Sequence, residues 1–66
     1  MTLTFNSERS ARYEMAAGTW TFRVDDDCEL FIYDPAGFRR RMAREKFGTP
    51  SEAMAAARAF VKEWLA

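Results

Sequence analysis

The sequence predicts an α+β fold: an antiparallel three- to four-stranded meander packed on one C-terminal helix, in a single small domain spanning residues 1–66. Three observations carry this. Trp20, Phe22 and Val24 alternate with Thr21 and Arg23, the two-residue period of a half-buried strand. Asp34-Pro35-Ala36-Gly37 is a turn signal, since Pro fixes one φ and Gly accepts a positive one. Thr49-Pro50-Ser51-Glu52 reads as a helix start, with a capping hydroxyl, Pro at the first helical position and a carboxylate three residues after the cap.

Along the chain, Leu3 and Phe5 alternate with Thr2 and Thr4 and suggest a short first strand. Ser7 to Ala17 reads two ways. Ala11, Tyr13 and Met15 alternate with Arg12 and Glu14, which supports a strand paired to Trp20–Val24. Ser7 also suits a helix cap, with Gly18 as the C-terminal stop. The strand is preferred, and it makes Met15-Ala16-Ala17-Gly18-Thr19 a hairpin connection. Asp25-Asp26-Asp27 is the next turn, and Glu29–Tyr33 the next strand, apolar on both faces. Phe38–Phe47 is expected to be the last strand, ended by Gly48, with a bulge to reconcile Phe38 and Met42 with Ala43 and Phe47. From Ala53 to Ala66 good helix formers dominate, and Met54, Ala57, Val61, Trp64 and Leu65 share a face, with Phe60 beside them. The alanines allow close approach to a sheet.

A chain of 66 residues buries only about 60% of its unfolded surface, so its stability margin is narrow. Ten aromatic residues supply a core despite the length, and a homodimer would cover leftover apolar surface. The lone Cys28 makes no internal disulfide, which fits a cytoplasmic location; it reads as a turn or partly buried cysteine. No apolar run approaches a membrane span, and Thr2, Thr4, Asn6 and Glu8 do not make a signal peptide. The chain has no histidine, no Gly-rich phosphate loop and no serine or cysteine beside a base. It is therefore read as no enzyme, with no cofactor. Three successive aspartates lack the spaced donors and internal glycine of a calcium loop, so no metal is expected.

Net charge is zero, but the charge falls in blocks: Asp25, Asp26, Asp27, Glu29 and Asp34, then Arg39, Arg40, Arg41, Arg44 and Lys46, with only Glu45 against them. If Trp20, Phe22, Val24, Leu30 and Ile32 face the helix, Phe31 and Tyr33 face away, within reach of Arg39 and Arg41. Guanidinium groups beside aromatic rings make good contact chemistry. The candidate partner-binding set is Arg23, Phe31, Tyr33, Arg39 and Arg41, with the acidic tip Asp25, Asp26 and Asp27. Two plainer roles stand beside it: arginines that solvate an edge strand and block edge pairing, and a merely solvated hairpin tip.

Gly18-Thr19-Trp20-Thr21-Phe22-Arg23-Val24 and Lys46-Phe47-Gly48-Thr49-Pro50-Ser51-Glu52-Ala53 resemble the strand and the strand-to-helix junction of the AP2 and integrase arm-type DNA-binding domains. The resemblance covers about residues 18–65. It implies a sheet that enters the major groove, with Arg23, Arg39 and Arg41 on bases and phosphates. Zero net charge and the carboxylates at 25–29 oppose that use. The size and self-contained character also resemble small phage or mobile-element proteins, inhibitors of bacterial defence among them. The leading expectation is a protein–protein interaction module, an inhibitor or regulatory protein, with nucleic-acid binding through the basic strand as the alternative.

Overall fold

The alternating stretches all form strands in the computed structural model, which describes residues 2–40 and 46–66. They are β1 (Thr2–Ser7), β2 (Ser10–Met15), β3 (Gly18–Val24), β4 (Leu30–Tyr33) and β5 (Arg39–Arg40). The sheet runs in chain order, β1-β2-β3-β4-β5, and every pairing is antiparallel. The fold is thus the predicted α+β meander on one C-terminal helix, with five strands instead of three or four. Residues 10–15 form a strand, not the alternative helix.

Register decides which side chains meet. Phe5 opposes Ala11, Ala11 opposes Phe22, and Phe22 opposes Ile32, so one row crosses four strands on the helix side. Leu3, Tyr13 and Trp20 form the next row, and Val24 with Leu30 a third. α1 (Pro50–Phe60) lies over β3 and β4. Phe22 and Ile32 are fully buried, as are Ala53 and Ala57, so the helix approaches the sheet through methyl-sized side chains as expected. Phe60 completes the contact, with its ring centroid 6.0 Å from Phe22 and 5.8 Å from the half-buried Trp20.

The helix start follows the predicted chemistry with one change. Thr49 is extended and its Oγ1 accepts from the Glu52 N–H at 3.2 Å. The Glu52 carboxylate accepts not from Thr49 but from the Gly48 N–H, at 2.9 Å. A Cβ at Gly48 would lie 3.1 Å from Glu52 Oε2, so a larger residue there would make the carboxylate shift by a few tenths of an ångström. At the other end the expectation for Trp64 fails. Residues Val61–Leu65 form a π-helical turn, closed by Ala66 N–H donating to Val61 O at 2.8 Å. Through this wider turn Leu65 packs against the core as expected, whereas Trp64 is 72% exposed.

The last predicted strand is only partly visible. β5 pairs Arg39 with Tyr33 and Arg40 with Ile32, and Lys46 bridges to Glu29. The register on these two sides differs by three residues. Arg41, Met42, Ala43, Arg44 and Glu45 lie outside the described residues.

Gly18 is used twice. Its φ of +136° closes the Ala16-Ala17 hairpin, and a Cβ there would lie 2.6 Å from Pro35 Cβ in the β4–β5 turn. Gly18→Ala should therefore cost about 1–3 kcal/mol in a urea titration. Wild-type stability in that variant would contradict the close approach.

Candidate functional site

The strand period that buries Phe22 and Ile32 turns the intervening residues to the other face of the sheet. No described residue of α1 packs there. One row on that face runs Thr4, Arg12, Thr21, Tyr33, Arg39 across all five strands, and a second runs Ser10, Arg23, Phe31. Of the predicted site, Arg23, Phe31, Tyr33 and Arg39 are brought together here. The Arg39 guanidinium lies over the Phe31 ring, 5.4 Å from its centroid. Arg23 stands opposite Phe31 on the adjacent strand. Phe31 and Tyr33 are half-buried among their neighbours, while Arg23 and Arg39 are exposed. A shallow depression beside them is lined by Thr19, Thr21, Arg23, Tyr33 and Pro35.

Arg12, Asn6 and Glu14 belong to the same face and were not singled out from the sequence. Arg12 Nε donates to Glu14 Oε1 at 2.8 Å and its Nη1 to Asn6 Oδ1 at 2.9 Å. That cation is already engaged, which leaves Arg23 and Arg39 as the more available charges. The signal was the alternation of Arg12 and Glu14 with Ala11, Tyr13 and Met15, which places both on one face.

The acidic tip does not act as one unit. Asp25 Oδ1 accepts from the N–H groups of Asp27 at 3.0 Å and Glu29 at 2.9 Å, and Cys28 N–H donates to Asp25 O at 3.1 Å. Arg9 Nη1 also donates to Asp25 O. Asp25 thus builds the turn, and Asp26 and Asp27 are the exposed carboxylates.

The β4–β5 turn repeats this pattern. Asp34 Oδ1 accepts from Ala36 N–H at 3.0 Å and Phe38 N–H at 2.9 Å, and Gly37 N–H donates to Asp34 O at 2.9 Å. In both turns the fourth residue has positive φ: +89° at Gly37 and +59° at Cys28. Cys28 therefore occupies a position that favours glycine. Asp34 Oδ2 also accepts from Arg40 Nε at 3.3 Å, which ties the turn to β5 and so helps set Arg39 on the open face.

These features define a small α+β protein with one sheet face under a helix and the other bearing an arginine–aromatic cluster. No family model, curated protein or solved structure matches the chain. Among the described residues, no helix is long and apolar enough to cross a membrane.

Proposed function

We propose that the chain is a non-enzymatic protein–protein interaction module, of the kind an inhibitor or regulatory protein uses, that docks through the open sheet face. The observation that carries this reading is the pair Phe31 and Tyr33, flanked by Arg23 and Arg39, on the face away from α1. Tyr and Arg are enriched among residues that dominate binding energy, because each couples a large rigid contact area to directional hydrogen bonding. Arg23 and Arg39 select a partner that presents carboxylates or backbone carbonyls.

The same arginines are what the resemblance to AP2 and integrase arm-type domains would place on DNA. Two features weigh against that use. A row across five strands is about 19 Å wide, whereas the major groove is about 12 Å wide. Asp26 and Asp27 project at the end of β3, two and three residues beyond Val24, where they would repel a phosphate backbone.

Affinity capture from the native host lysate, with wild type beside Arg23→Ala/Arg39→Ala, tests the proposal. A protein should be retained by wild type, and the double variant should bind it at least about 30-fold more weakly. A salt titration with duplex DNA gives the contrary outcome. Tight binding at low salt that falls steeply with salt and is lost in the double variant would replace the protein partner with a nucleic acid.

A further inference from the structure

The two edges of the sheet are unlike. The described part of β5 is two residues long and both are arginine, which discourages further pairing. β1 is six residues long, Thr2-Leu3-Thr4-Phe5-Asn6-Ser7, with no charge and no proline. It is the first strand of the sheet order, and no described strand pairs with its outer side. Its register with β2 is regular from Thr2 to Phe5 and shifts between Phe5 and Ser7, so Asn6 lies at the irregularity. A two-fold register that sets Leu3 against Phe5 is centred on Thr4.

Beneath this edge, on the helix side, two adjoining depressions that meet at Phe5 and Arg58 make an apolar cleft: one reaches Met54 of α1, the other Leu3, Tyr13 and, from the π-helical turn, Val61. Phe5 is 39% exposed there, with the Arg58 guanidinium 5.0 Å from its ring centroid. Charge is polarised along the cleft. Glu8 lies at the end near Ser7 and Ser51, and Lys62 at the end near Leu3 and Ala66.

We infer that a second copy of this chain covers the β1 edge, by antiparallel pairing of β1 with β1 about a two-fold axis through Thr4. The occupant is chosen by self-complementarity. In this register Thr4 opposes Thr4 of the second copy, Leu3 opposes Phe5, and Thr2 opposes Asn6. The exposed Phe5 then covers the Leu3 end of the other cleft, and the Glu8 end of one copy approaches the Lys62 end of the other. The uncharged edge brings no like charges together, and Arg12, one strand in, is held by Glu14 at 2.8 Å. The result is a continuous sheet of two meanders with both open faces on the same side. That arrangement would let a dimer hold two partner sites at once and gain avidity without a new contact. The pairing itself does not depend on what the open face binds.

Sedimentation equilibrium on the full chain across concentration tests this. Wild type should pass from the mass of one 7.6 kDa chain to twice that mass. Thr4→Lys alone and Thr4→Asp alone each place like charges opposite one another and should associate at least about tenfold more weakly. Mixed in equal amounts they should associate again, because Lys then faces Asp. Thr2→Lys/Asn6→Asp, at two exposed positions, keeps an acceptor for Arg12 and sets unlike charges opposite, so its dimer should be at least about twofold tighter. Circular dichroism confirms that each variant is folded. Wild type that keeps the single-chain mass throughout would overturn the proposal. So would folded Thr4 variants that dimerise like wild type, or a mixture that does not reassociate. None of these outcomes bears on capture through Arg23 and Arg39, so the two readings fail separately.

Discussion

Phe22→Ala should leave the chain without a cooperative unfolding transition at room temperature. Phe22 is fully buried, stands between Ala11 and Ile32 in the row that crosses the sheet, and meets the edge of the Phe60 ring. Removing a buried Phe side chain costs about 3–5 kcal/mol, from lost transfer energy and the cavity left behind. A domain of this length has only about 3–10 kcal/mol in total, and small domains sit toward the lower end. Its neighbours cannot collapse into the space easily. Ala53 and Ala57 are fully buried and have no longer side chain to swing in. Phe22→Leu, which keeps most of the volume, should remain folded with a lower urea midpoint. A Phe22→Ala variant within about 1 kcal/mol of wild type would show that the row is not the centre of the core.

The second large effect is expected at Asp34. Its side chain is 10% exposed, and its two oxygens accept from two backbone N–H groups and from Arg40. Asp34→Ala leaves those donors without their acceptor and should cost about 2–3 kcal/mol. Asp34→Asn retains one oxygen for the backbone and should cost about 1 kcal/mol. Asp25→Ala removes the equivalent acceptor for Asp27 and Glu29 and should cost about 1–2 kcal/mol. These stabilities are read from urea unfolding. Asp34 has a further consequence because its turn joins β4 to β5. Loosening it should weaken partner binding by the arginine–aromatic cluster even under conditions where the variant stays folded. Binding unchanged in a folded Asp34→Ala variant would show that Arg39 is positioned without the turn.

The residues of the open face were legible because side-chain direction in a strand is local. Once Phe22 and Ile32 are assigned inward, Arg23, Phe31 and Tyr33 must point outward whatever the strands pair with. The pairing of Thr21 with Tyr33 and of Tyr33 with Arg39 then sets the cluster. The acidic tip was less legible. Nothing in Asp25-Asp26-Asp27 separates the carboxylate that folds back onto its own backbone from the two that meet solvent. That difference arises only when Cys28 takes a positive φ and the Glu29 N–H turns toward Asp25.

The sequence by itself determined the strand periods, the two faces of the sheet, the Asp34–Gly37 turn and the Thr49 helix cap. Each depends on residues within a few positions of one another, so local stereochemistry suffices. Only the tertiary structure decided that β1 forms one edge of the sheet and that Trp64 turns out to solvent while Leu65 stays against the core. It also decided that Gly18 lies against Pro35. Those outcomes depend on contacts between segments distant along the chain, whose geometry follows from packing all the elements together.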